Sequence, residues 1–210
     1  MNMKAKRLAG IFHFWGVLGF FMLVFLGQRT DVLAAEVYEI DPAHSSLNFA
    51  VKHLTVSTVT GQFIDYSGTI QYDPAEASSF MSEVNIKASS IDTRQEKRDA
   101  HLKSADFFDV EKYPAITFKS KRLTAQGGSY AITGDLTMHG VTKEISIPVI
   151  ISGPVNSPMG AKVIGLSGET TINRQDFGIS WNKTLDSGGF MVSDEVKITV
   201  NIEAGNKGKK

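Results

Sequence analysis

The stretch Val196-Lys197-Ile198-Thr199-Val200-Asn201-Ile202-Glu203 sets an apolar side chain at every even position and a polar one at every odd position. A period of two puts all four aliphatic groups on one face of an extended strand and leaves the other face for water. The same alternation recurs upstream. Leu47, Phe49 and Val51 are interleaved with Ser46, Asn48, Ala50 and Lys52; Val84, Ile86 and Ala88 with Asn85 and Lys87; Ile116 and Phe118 with Thr117 and Lys119. Tyr130, Ile132, Gly134 and Leu136 follow, then Ile145, Ile147, Val149 and Ile151. Strands with one apolar and one polar face belong to an antiparallel sheet wetted on one side. Turn signals stand between them at Asp73-Pro74, Gly127-Gly128, Gly153-Pro154 and Ser187-Gly188-Gly189. The pattern predicts an all-β domain of about eight strands, with one short helical segment near residues 93–103.

Such strands close into a barrel or split into a sandwich. Two features favour closure. Residues 45–54 and 142–152 make long strands, and Gly61, Gly68, Gly134, Gly165 and Gly168 fall inside strand patterns, where they mark bulges or barrel corners. The interior of a barrel of about eight strands is either filled by side chains or holds one small ligand.

The N-terminus carries Lys4, Lys6 and Arg7, an almost uncharged run over 8–27, and small residues ending at Ala34-Ala35. That order describes a secretory signal peptide over 1–35. The apolar run is also long enough to stay in a bilayer as an uncleaved anchor, since about 20 apolar residues span one. Either way the basic flank stays inside and the domain over 36–205 is exported. Residues 206–210 read as a short, frayed basic tail. Removing 1–35 leaves 18 basic and 21 acidic residues, a net charge of −3. That balance argues against nucleic acid, which needs a concentrated basic footprint. The chain has no cysteine, so a hydrophobic core alone must hold the fold.

One segment breaks the strand pattern. Residues 98–114, RDAHLKSADFFDVEKYP, put three basic residues, one histidine and four acidic residues around Phe107-Phe108. It is too charged for a core strand and too aromatic for a plain solvated loop. Adjacent rings point in opposite directions on a strand and about 100° apart on a helix, so at least one leaves the main core. The segment therefore suits the mouth of an apolar cavity, taking a ligand with a polar end and an apolar body.

The segments Tyr38-Glu39-Ile40-Asp41-Pro42-Ala43-His44-Ser45 and Phe49-Ala50-Val51-Lys52-His53-Leu54 resemble the opening of the YceI-like family. So do RDAHLKSADFFDVEKYPAITFKS over 98–120, Gly134-Asp135-Leu136-Thr137-Met138-His139-Gly140-Val141-Thr142-Lys143, and Asn173-Arg174-Gln175-Asp176-Phe177-Gly178-Ile179. The five matches run in the family's order and span nearly the whole exported domain. The resemblance implies a lipocalin-like antiparallel barrel that binds polyisoprenoid or another long-chain amphiphile inside, and a periplasmic address. A homodimer and peripheral contact with a membrane stay open.

The residues expected to meet ligand are Phe49, Arg98, His101, Phe107, Phe108 and Phe177. Phe49 also fits ordinary packing, as it sits mid-strand on an apolar face. Arg98 and Arg174 have two readings each. They pair with Asp99, Asp106 or Asp176, or one faces the mouth and holds a phosphate or carboxylate head. For Arg174 the neighbouring Asp176 offers a local partner. His44, His53, His101 and His139 show no ligand spacing to one another or to a carboxylate, so no metal is expected. A Ser-His-Asp reading joins Ser45 or Ser46 to His101 and Asp106, but no nucleophile elbow accompanies it. No catalytic residue and no cofactor are expected. The alternatives are an enzyme on a lipid substrate, hydrolase-like or metal-dependent, and a filled barrel that binds nothing.

Overall fold

The computed structural model describes residues 35–185 and 189–206. The proposed leader and positions 207–210 lie outside the described residues, as do Ser187 and Gly188 of one predicted turn. Eleven strands and one α-helix are described: β1 (Glu36–Ile40), β2 (Ser46–His53), β3 (Ser57–Phe63), β4 (Tyr66–Tyr72), β5 (Met81–Lys87), β6 (Ile91–Asp92), α1 (Glu96–Lys103), β7 (Ala115–Gln126), β8 (Ser129–Met138), β9 (Val141–Asn156), β10 (Lys162–Asn173) and β11 (Val192–Gly205). Eight of them form a closed antiparallel ring in the order β1-β4-β5-β7-β8-β9-β10-β11. The ring closes where Glu39 and Ile40 pair with Gly205 and Ala204. Closure leaves the ring without an edge strand.

Besides β10, β11 serves two further partners. Its C-terminal end meets β1, while Val196–Asn201 pair with β2. β2 continues into β3, and β3 meets the short β6 through Gln62↔Asp92 and Phe63↔Ile91. The chain then runs from β6 into α1. The helix begins at Gln95, whose side chain accepts from the Arg98 N–H, close to the start expected from sequence.

Hairpin chemistry sets the registers. Gly127 and Gly128, at φ +53° and +94°, make a two-residue turn between Gln126 and Ser129. His139-Gly140 does the same between Met138 and Val141, at φ +52° and +77°. Gly153-Pro154 is not a turn: both residues lie inside β9, next to the register shift that separates Val163 from Gly165 on β10. Gly134 faces Ser120 at a second register shift, as expected of a bulge position. Gly61 has another use. It stands in regular pairing opposite Phe49, and a Cβ there would lie 2.3 Å from the Phe49 ring. Asn206, assigned from sequence to a frayed tail, is tied down. Its N–H donates to Lys162 O at 2.9 Å, and its Oδ1 accepts from Lys162 N at 2.8 Å.

Two apolar clusters occupy the interior. One contains Tyr38, Ile40, Tyr66, Ile70, Tyr72 and Phe80 together with Ile132, Val149, Ile164 and Leu166. Burial pushes the phenols of Tyr38, Tyr66 and Tyr72 up, so they stay neutral there. The second cluster contains Phe107, Ile116, Leu136, Met138, Ile172, Phe177 and Ile179.

Candidate functional site

A cavity of about 230 Å³ lies within the barrel. It is bounded by both clusters: Ile40, Leu47, Ile70 and Leu166 from the first, and Phe107, Ile116, Leu136 and Ile172 from the second. Of its 31 lining residues only Asn48, Ser82, Thr170 and Arg174 are polar. Such a wall offers water almost no hydrogen bonds, and an apolar chain replaces water there favourably. The inward residues of each strand of the ring supply it, as Val196, Ile198, Val200 and Ile202 of β11 show.

The helical segment covers part of this interior. Leu102 of α1 and the adjacent Phe107 and Phe108 all line the cavity. A chain of turn bonds fixes the two rings, among them Phe107 N to Ser104 O and Phe108 N to Leu102 O, both 3.0 Å. The rings then diverge. Phe108 stands edge-on to Phe63 at 5.7 Å, and Phe63 meets Phe49 at 6.0 Å. Phe107 instead packs with His101 at 5.0 Å and Trp181 at 5.1 Å, while His101 and Trp181 are 4.9 Å apart. These centroid distances are those of favourable edge and offset arrangements. Phe49, Phe107 and Phe108 are thus brought to one cavity.

The other expected ligand contacts sit elsewhere. Phe177 is 1% exposed in the second cluster and is not among the lining residues. His101 pairs its Nε2 with Asp106 at 2.8 Å and reaches the site only through Phe107. Arg98 is tied to its own turn: Nε donates to Thr93 Oγ1 at 2.7 Å and Nη2 to Thr93 O at 2.8 Å. Asp99 accepts from the Thr93 N–H at 2.9 Å, which completes the junction between β6 and α1. Neither of the two sequence readings for Arg98 describes this role.

Arg174 differs from expectation too. It is 4% exposed, lines the cavity, and pairs with Asp194 at 3.0 Å, not with Asp176. Asp176 lies exposed on the 3₁₀ turn Arg174–Phe177 that follows β10. Burial lowers the Arg174 pKa and Asp194 opposes that shift. An arginine keeps its charge in either case.

Sequence reasoning missed Phe63, Trp181 and Leu102 as well. Trp181 carried a usable signal, being the single tryptophan after residue 35 and lying in a polar loop between Ser180 and Asn182. Besides His101, a second histidine meets carboxylates. His44 Nδ1 lies 2.7 Å from Asp41 Oδ2 and 3.9 Å from Glu203 Oε1, on the exposed turn between β1 and β2. The chain between β1 and β2 turns back there, and β11 supplies Glu203 from across the sheet. The Asp41 bond raises the His44 pKa, and the same bond lowers that of Asp41. Ser45, named in the triad reading, is engaged with Glu203: its Oγ accepts from the Glu203 N–H at 2.9 Å.

Comparison with known proteins gives a consistent assignment. A family model described as YceI-like domain matches residues 38–204. A UPF0312 protein of Staphylococcus aureus strain N315 is 39% identical over 167 residues, covering 79% of this chain and 95% of that protein. The crystal structure of Burkholderia cenocepacia BcnA superposes with a TM-score of 0.69 at 26% identity, over 79% of this chain and 99% of that one. A polyisoprenoid binding domain from Saccharophagus degradans, implicated in plant cell wall breakdown, shares the fold at a TM-score of 0.60 and 18% identity, over 81% of this chain and 98% of that one.

Proposed function

The chain belongs to the YceI-like domain family, and on that premise we propose an exported, non-catalytic protein that holds a polyisoprenoid or similar long-chain amphiphile inside its barrel as a carrier or scavenger. The observation that carries the reading is the cavity wall, apolar at 27 of 31 positions and covered in part by Phe107 and Phe108. The ligand named for the Saccharophagus degradans domain supports the same chemical class. Export rests on the basic, apolar and small-residue order of 1–35. The periplasmic address is what membership of the family adds to that export.

Energetics favour a long chain over a small polar molecule. Burying a five-carbon isoprene unit gains roughly 3–4 kcal/mol at about 0.8 kcal/mol per carbon. Association costs about 4–15 kcal/mol, so several units must be buried together. The cavity of about 230 Å³ is smaller than the roughly 300–1,000 Å³ of drug-sized pockets, so a long chain requires the lining side chains to move apart.

Mass spectrometry of an organic extract from natively purified protein tests the reading. The expected result is a near-stoichiometric amphiphile with a long hydrocarbon chain. Protein that carries none, and that takes up no added prenol, would sink the proposal and leave a filled barrel.

A further inference from the structure

We infer that residues 95–112 form a lid that moves as one body, and that its lifting, not a parting of the strands, admits the ligand. The inference rests on the cavity reading above and adds the route into the cavity. Among the described residues, all hydrogen bonds and ion pairs of 95–112 stay within 93–113. The segment is folded on itself: Asp109 N donates to Ser104 O at 2.9 Å and Val110 N to Lys103 O at 3.1 Å. It is tethered at two points. Arg98 and Asp99 tie its front to Thr93, and behind it Pro114 O accepts from the Ala88 N–H at 2.9 Å.

What seats the segment on the barrel is apolar. α1 has no buried residue of its own. Leu102, Phe107, Phe108 and Val110 pack into the second cluster, with Phe108 against Phe63, and Phe107 and His101 against Trp181. Phe63 and Trp181 belong to the barrel side. Phe63 pairs with Leu47 and Ile91 on neighbouring strands. Trp181 O accepts from Arg174 Nη1 at 2.9 Å, and Asn182 Nδ2 donates to Val192 O at 2.7 Å.

Lifting the segment about Thr93 and Pro114 therefore breaks ring contacts and no hydrogen bond to the barrel. It also withdraws Leu102, Phe107 and Phe108 from the cavity wall. Parting the strands is far less favourable. Every strand of the closed ring is hydrogen-bonded on both sides, and a parted ladder leaves backbone groups unpaired beside an apolar interior. A cavity of about 230 Å³ has to widen for a long chain, and the lid is the part of its wall that yields without that loss.

The chain has no cysteine, so a pair placed across the seam is unique. His101 lies on the lid and Trp181 on the barrel, their rings are 4.9 Å apart, and neither lines the cavity. The test joins His101→Cys to Trp181→Cys with a short bis-methanethiosulfonate reagent, whose disulfides a thiol reductant reopens. Uptake and release of a dansyl-tagged geranylgeraniol are followed by stopped-flow fluorescence. The cross-link is expected to slow uptake at least tenfold, and reduction to restore the rate of the unlinked double variant. Linked, folded protein that takes up the probe as fast as the reduced form overturns the inference. Trp181→Leu gives a second reading, because it loosens the seat without altering the cavity wall. Uptake and release should both quicken at least threefold while their ratio, the Kd, holds within twofold. Unchanged rates in the folded variant, or faster release with Kd weakened in proportion, are the behaviour of a fixed wall and overturn the inference as well. Wild type that binds no probe would overturn the cavity reading itself, a distinguishable result.

Discussion

Replacing Phe108 by alanine should loosen the hold on ligand far more than it loosens the fold, and Phe177→Ala should do the reverse. Phe177 is 1% exposed, within the second cluster and away from the cavity wall. Truncating such a ring costs about 3–5 kcal/mol. For a domain of this size each kcal/mol lowers Tm by about 2–4 °C, so a fall of roughly 6–20 °C is expected. Phe108 is half-buried, with its ring edge-on to Phe63 at 5.7 Å. Losing that pair and part of its burial costs about 1–2 kcal/mol, or roughly 2–8 °C. The same truncation opens the cavity wall beside Leu102. If it exposes two or three chain carbons, about 2 kcal/mol of burial is lost and release quickens roughly 30-fold. Phe118 would make a poorer control, since it lines the cavity as well. The assays are thermal unfolding of lipid-free protein and stopped-flow release of a fluorescent prenol. An equal fall in Tm for both variants, with release from Phe108→Ala unchanged, would refute the argument and make the segment ordinary core.

Two further outcomes follow from local geometry. At Gly134 a Cβ would lie 2.5 Å from Lys119 O and 2.6 Å from the Phe118 ring, whereas at Gly165 the nearest atom is 3.8 Å away. Gly134→Ala is therefore expected to cost about 1–3 kcal/mol in chemical denaturation and Gly165→Ala well under half of that, and equal costs would contradict the close approach. The raised His44 pKa means its contribution to stability is complete below the ordinary histidine value and fades as pH rises through the raised one. The lowered Asp41 pKa means its contribution is present above the ordinary carboxylate value and fades as pH falls through the depressed one. An NMR titration should place the His44 midpoint above the free-histidine value in wild type and move it down in Asp41→Asn. A wild-type midpoint at or below the free value would show that the pair does not form.

The architecture was legible wherever the signal was local. A period-two pattern in Val196–Glu203 forces side chains to opposite faces whatever the rest of the molecule does, and these residues lie on β11. Gly127-Gly128 admits the positive φ that a tight hairpin requires, so the β7–β8 turn followed from composition alone. The mixture of charge and adjacent rings in 98–114 marked a segment that could be neither strand nor plain loop, and the structure sets both phenylalanines on the cavity wall. The partner of Arg174 could not be read this way. Asp176 is two residues away, but the 3₁₀ turn leaves it exposed while Arg174 faces inward, and β11 brings Asp194 to within 3.0 Å. Arg98 looked equally ready for a head group, yet it bonds to Thr93 and is not among the residues lining the cavity. Ring closure through Glu39↔Gly205 joins the two ends of the domain, which no local pattern encodes. The sequence by itself determined which residues form strands and which segment departs from them, because those choices depend on neighbours along the chain. The tertiary structure alone decided how buried donors such as those of Arg174 are satisfied, because that depends on backbone carbonyls and carboxylates delivered from distant parts of the chain.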